Sequence, residues 1–146
     1  MAVSVMLAVN KRDHRRLGVG GRNLSNGGSC LMIWSVDDRE LYDMDHVVVR
    51  HIYDEDHAAI VWFGFTDGQT LRDHLTTSVA IIQVLKGRVH LSTAIEQVLA
   101  SGQTVQLQAN ERHALTALEE SLVQLVLVPH PRYHSLAQEI GMETRV

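Results

Sequence analysis

The sequence predicts an all-β fold, an antiparallel sandwich or barrel, and two observations carry that reading. From Leu71 to Val128, short runs rich in Val, Ile, Leu and Thr are broken by Gly, Ser, Asn or Glu about every eight residues, as in VAIIQVLKG, RVHLST, EQVLASG, QTVQLQ, HALTAL and LVQLVLV. Upstream, VVVRHI and AAIVWFGF are two more strand candidates, joined by YDEDH.

Taken in order, the chain divides into an arm and a domain. Residues 1–31 include GVGGRNLSNGGS and hold little to offset the entropy of ordering, so they read as a mobile or extended arm before a single domain over 32–146. The apolar start precedes the basic cluster KRDHRR, the reverse of a secretory signal. Gly18, Gly20 and Gly21 lack the strand before and helix after that a phosphate-cradling loop needs. SVDDRELYDM predicts a short helix over 35–44, with Ser35 as N-cap and Asp37 and Asp38 in its first turn. Ala58 to Phe65 is almost continuously apolar, so this strand should be covered on both faces, and a second copy of the chain would supply the outer cover. Asp43, Asp45, His46, His51, Asp54, Glu55, Asp56 and His57 could suggest a metal cluster, but they fall at strand ends and read as hydrated turn residues. Pro129 and Pro131 stop the last strand, and a short helix follows over 132–140, ended by Gly141.

Composition bounds function. At 146 residues, one domain can bury a core without disulfides or a structural metal. A net charge of −4 gives no general attraction to nucleic acid or anionic membrane. A single cysteine, Cys30, excludes an intrachain disulfide framework and points to the reducing cytoplasm. No run approaches the roughly 18 apolar residues of a membrane span. No nucleophile elbow, Cys-His signature or pair of catalytic carboxylates is visible in the strand-rich region.

Two motifs add a resemblance. Gly68, His74 and Gly87 match in spacing a pattern of Gly, five residues, His-x-His, three or four residues, Glu, six residues, Gly; Gly102 and His113 match Gly, five residues, Pro-x-Gly, two residues, His. These are the two motifs of the cupin family, and the chain resembles small single-domain cupins with a VQVL-x-G strand and an HAL-x-A-x-E strand, here IIQVLKG and HALTALEE. The resemblance covers roughly 58–128. It implies a double-stranded β-helix, or jelly-roll barrel, with short flanking helices, and it implies a homodimer. It departs from the pattern at Thr76 in the second His slot, Ala80 in the Glu slot, and Gln108 and Asn110 in the Pro and Gly slots.

The resemblance also places a candidate pocket. It puts His74, Thr76, Ala80, Ile82, His113 and Leu115 inside the barrel as ligand-binding residues. His74 and His113 are the only two of four metal-ligand slots retained, so the expectation is no resident cofactor and at most a weakly bound divalent transition metal. The first functional reading is a small-molecule-binding or accessory protein. The alternatives are a metal-dependent dioxygenase or isomerase with a reduced ligand set, and a structural dimer whose pocket is filled by its own side chains.

Overall fold

The computed structural model describes residues 21–131. Most of the expected arm and the expected helix over 132–140 lie outside the described residues. The elements are β1 (Arg22–Asn26), β2 (Ser29–Ile33), a 3-10 turn (Arg39–Leu41), β3 (Val48–Glu55), β4 (Ala58–Phe65), β5 (Thr70–His74), β6 (Val79–Lys86), β7 (Arg88–Ser92), β8 (Glu96–Ala100), β9 (Thr104–Leu107), β10 (His113–Ala117) and β11 (Ser121–Val128). Strands β3-β4-β11-β6-β9 form one sheet and β5-β10-β7-β8 a second, while β1 and β2 pair only with each other. The strand pairs are antiparallel.

Alternation explains the core. In β6, Ala80, Ile82 and Val84 are fully buried while Val79, Ile81 and Gln83 face outward and are only half-buried. The inward residues join Val61 and Phe65 of β4, Val89 of β7, Leu115 of β10 and Val123 of β11 in one cluster between the two sheets. Burying each large aliphatic side chain contributes about 1.5–3 kcal/mol, so this layer carries most of the fold's stability. Gly87 lets the chain leave one sheet for the other. It has φ 78°, and a Cβ there would run into Ser121 and the carbonyl of Glu120.

The second half of β4 is covered on both faces, and its outer cover comes from the chain itself rather than from a second copy. Trp62 and Leu122 on the outer face pack with Leu41 and Tyr42, and Trp34, Val36, Ile52 and Leu85 surround them. Here the structure also corrects the helix expected over 35–44: only Arg39–Leu41 turns, as 3-10, and its N-cap is Asp38, whose carboxylate accepts from the Glu40 N–H at 3.0 Å. Ser35 instead accepts from the Asp37 N–H at 3.3 Å. In the structure Tyr42 is already extended at φ −128°, Leu41 and Tyr42 are both buried on the sheet, and the Tyr42 hydroxyl donates to the Val36 carbonyl at 2.8 Å. Gly64 makes this approach possible, because a Cβ there would overlap the Leu41 carbonyl. Charges pin the segment from outside: Glu120 takes Arg39 and Lys86 at 2.9 Å each, and both cations lie over the Tyr42 ring, 5.2 and 4.7 Å from its centroid.

Candidate functional site

β5 and β10 are neighbours in the four-stranded sheet, and the register sets His74 directly opposite His113. The loop before β10 is fastened to the end of β5 by the Asn110 N–H, which donates to the Thr76 carbonyl at 2.7 Å. Asn110 adopts φ 67°, a left-handed conformation that asparagine tolerates better than most residues. The two imidazoles meet with ring centroids 4.3 Å apart and planes at 59°. His74 is exposed and His113 is buried at 2%, so the pair sits where the barrel interior reaches solvent.

Each ring is held the same way. His74 Nδ1 lies 2.7 Å from the Arg72 carbonyl, and His113 Nδ1 lies 2.9 Å from the Glu111 carbonyl. A carbonyl oxygen only accepts, so both Nδ1 atoms carry the hydrogen, and each neutral ring is left with a bare Nε2 lone pair. Burial pushes the His113 pKa below its usual value; the Glu111 carbonyl opposes that shift, the neighbouring His74 adds to it, and the carboxylates of Asp73 and Glu111 oppose it. The site is therefore two side-by-side acceptors, one of them in a setting that resists protonation.

Comparison with solved structures decides the fold. An RmlC-like cupin from Desulfovibrio desulfuricans superposes with a TM-score of 0.59 at 20% identity, covering 67% of this chain and 98% of its own. A conserved protein of unknown function from Streptococcus pyogenes gives 0.58 at 23% identity, covering 76% of this chain and 95% of its own. KdgF from Halomonas gives 0.56 at 20% identity, covering 60% and 84%. The chain has the cupin fold. No family model matches the sequence, and neither does any curated protein.

The other positions singled out in this cupin barrel divide into rim and core. Thr76 is half-buried, and its hydroxyl accepts from the Ser78 N–H at 3.2 Å. Ala80 and Ile82 are at 0% exposure and Leu115 at 3%, all within the packed cluster between the sheets. The donor set does not fit a four-ligand metal centre. Ala80 offers only a methyl group, and among the described residues no group of three or more His, Cys, Asp or Glu stands close enough to share an ion. Among the described residues, no helix is long and apolar enough to cross a membrane.

Three polar residues were not legible as interior. The reading of 43–57 as hydrated turns holds for Asp43, which accepts from the Asp45 N–H at 2.8 Å and meets exposed His46 at 3.2 Å. It fails for Asp54. A bulge in β3 between His51 and Tyr53 sets Asp54 opposite the buried Ala59, where its carboxylate takes Nε2 of His130 at 2.5 Å. His130, between the two prolines that end the last strand, is 5% exposed. His51 pairs with the core residue Val61, and its Nδ1 is buried without a hydrogen-bond partner among the described residues.

Proposed function

We propose that this cupin barrel binds a small organic molecule at the His74–His113 pair, and that the molecule brings hydrogen-bond donors, as a hydroxyl-rich or amine-bearing compound does. The observation that carries this is the shared tautomer. With each Nδ1–H spent on a backbone carbonyl, the pair offers acceptors and no donor. A carboxylate or phosphate would meet two lone pairs and be repelled; a diol or ammonium would satisfy both. Thr76, beside His74 on the same chain segment, adds a hydroxyl able to serve either role. Among the described residues no third His, Cys, Asp or Glu joins the pair in a cluster, and the function proposed is binding, as a sensor or accessory protein. The single exposed thiol of Cys30 suits a reducing compartment, and cytoplasmic work is part of the proposal.

The test is a fragment screen by protein-observed NMR on the full chain, comparing small polyols and amines with carboxylates of equal size at pH 7.5. Polyols or amines should shift resonances of β5 and β10, and His113→Ala should abolish the shifts while leaving the remaining spectrum folded. Selective binding of the carboxylates would overturn the reading.

A metal enzyme with a reduced ligand set is the second reading, favoured by one observation: histidine ligands commonly donate their other ring N–H to a carbonyl, as both do here. Two imidazoles without a carboxylate should hold zinc or nickel weakly. Tag-free protein should therefore release its metal to a chelator, and a stoichiometric ion that survives dialysis would favour this second reading instead.

A further inference from the structure

The fold leaves one buried polar atom of β3, Nδ1 of His51, without a hydrogen-bond partner among the described residues. His51 stands opposite Val61 in the register of β3 and β4, before the bulge begins, and directly paired residues present their side chains on one face. Val61 is fully buried in the cluster between the sheets, so His51 points into the barrel. A buried polar group without a partner is costly. The fold spends the corresponding atoms of other inward histidines: Nδ1 of His113 on the Glu111 carbonyl, and Nε2 of His130 on Asp54. His51 is the exception that calls for a reason.

The topology sets His51 level with the histidine pair. Residues 66–69 carry the chain from Phe65 of β4 to Thr70 of β5, and residues 118–120 carry it from Ala117 of β10 to Ser121 of β11. These two crossings share one end of the barrel. The Gly68 N–H donates to the Ala117 carbonyl and the Ala117 N–H to the Gln69 carbonyl, both at 2.9 Å, and Ser121 pairs with Phe65. Four residues in from that end, on the order of 13 Å at the usual strand rise, stand Val61 on β4, His74 on β5, His113 on β10 and Leu125 on β11. Val61 is paired with Leu125 and His74 with His113, so the two sheets are in step at this depth. His51, opposite Val61, lies there too. β3 and β5 are also the end strands of their sheets. Because β4 runs into β5, both end strands follow the same edge of the sandwich.

We propose that His51 is a further contact of the ligand site, taking a second polar group of the small molecule that the His74–His113 pair holds. This rests on the reading of the pair as a binding site and narrows its ligand class. The pair only accepts, whereas Nδ1 of His51 donates or accepts according to its tautomer. A molecule with two separated polar groups serves both: a hydroxyl or ammonium at one end for the pair, and a hydroxyl at the other for His51. Its carbon skeleton would rest on the apolar interior, where Leu71 and Leu115 pair next to the histidines. Short diols and amino alcohols have this form.

The full chain is titrated by protein-observed NMR with butanediol and aminobutanol, each with its polar groups at opposite ends, and with butanol and butylamine as one-ended counterparts. The two-ended probes should bind about tenfold more tightly, the difference one well-placed hydrogen bond makes. They should move the ring nitrogen resonances of His51 together with the resonances of β5 and β10. His51→Phe keeps a ring and removes the polar atom. It should erase the tenfold advantage and leave the one-ended probes bound as before, while its urea midpoint stays at or above that of wild type. Equal affinity of wild type for both kinds of probe overturns the inference, as does a two-ended preference that survives His51→Phe. An unmoved His51 ring when β5 and β10 respond overturns it as well, and a lower urea midpoint or an unfolded variant would assign His51 to holding the fold instead. All of these leave the reading of the pair standing; no response of β5 and β10 to any probe overturns both.

Discussion

Replacing Glu120 with Gln tests how the outer cover of β4 is held. Glu120 receives two hydrogen bonds from Arg39 and one from Lys86, and these bonds, Arg39's first, lower its carboxyl pKa from 4.5 to about 2. At ~1.4 kcal/mol per pKa unit, that shift read directly would be worth about 3 kcal/mol. The Glu120 side chain is 33% exposed, however, and solvent screening reduces pairs of this kind to about 1 kcal/mol or less. The expected loss for Glu120→Gln is therefore about 1 kcal/mol at pH 7. The sign with pH follows from the depressed pKa: the carboxylate's contribution is fully present above pH 4.5, the unfolded value, and is lost as pH falls through about 2. Urea unfolding of wild type and Glu120→Gln at pH 7, 4 and 2.5 should show the gap narrowing across that window. Glu120→Gln should also lose protection from hydrogen exchange at Leu41 and Tyr42 relative to wild type. A gap of unchanged size at pH 2.5 would refute the electrostatic account, and no gap at pH 7 would show that the apolar contacts of Leu41 and Tyr42 hold the segment unaided.

Other outcomes follow from single contacts. Gly64→Ala should destabilise by about 2 kcal/mol or more in urea melts, because its methyl group must displace the Leu41 backbone; a neutral result would mean the 3-10 turn does not press on β4. Leu115→Ala, at 3% exposure in the core, should cost about 2–5 kcal/mol, and a loss under 1 kcal/mol would mean that the barrel interior is not packed at β10. His113 resists protonation in the fold, so its contribution to stability is complete above the unfolded histidine pKa of 6.5 and declines as pH drops below it. His113→Gln should flatten that part of the stability profile between pH 7 and 5, and an unchanged slope would assign it to another group.

The barrel was legible because its determinants are local. Strand alternation marks Ala80, Ile82 and Val84 as inward, and the motif spacing from Gly68 through His74 and from Gly102 to His113 fixes two loops whose ends must meet. The resemblance to the cupin motifs set His74 against His113 even though Gln108 and Asn110 stand where those motifs have Pro and Gly, since Asn110 can take the left-handed turn itself. What the sequence hid depends on geometry that residue type does not encode. A bulge of one residue in β3 decides that Asp54 faces in and meets His130. The cover of β4 depends on Gly64 lying under Leu41, which no local pattern in SVDDRELYDM announces. The tautomers were hidden too. Sequence reasoning would grant each neutral imidazole a donor and an acceptor, but the carbonyls of Arg72 and Glu111, each two residues before its histidine, claim the donors.

The acceptor character of the pair is open to direct observation. Long-range proton–nitrogen NMR of histidine-labelled protein should show the neutral rings of both His74 and His113 with the hydrogen on Nδ1 and none on Nε2, and titration should place the His113 pKa below 6.5. A hydrogen on Nε2 of either ring, or a charged His113 at neutral pH, would contradict the account.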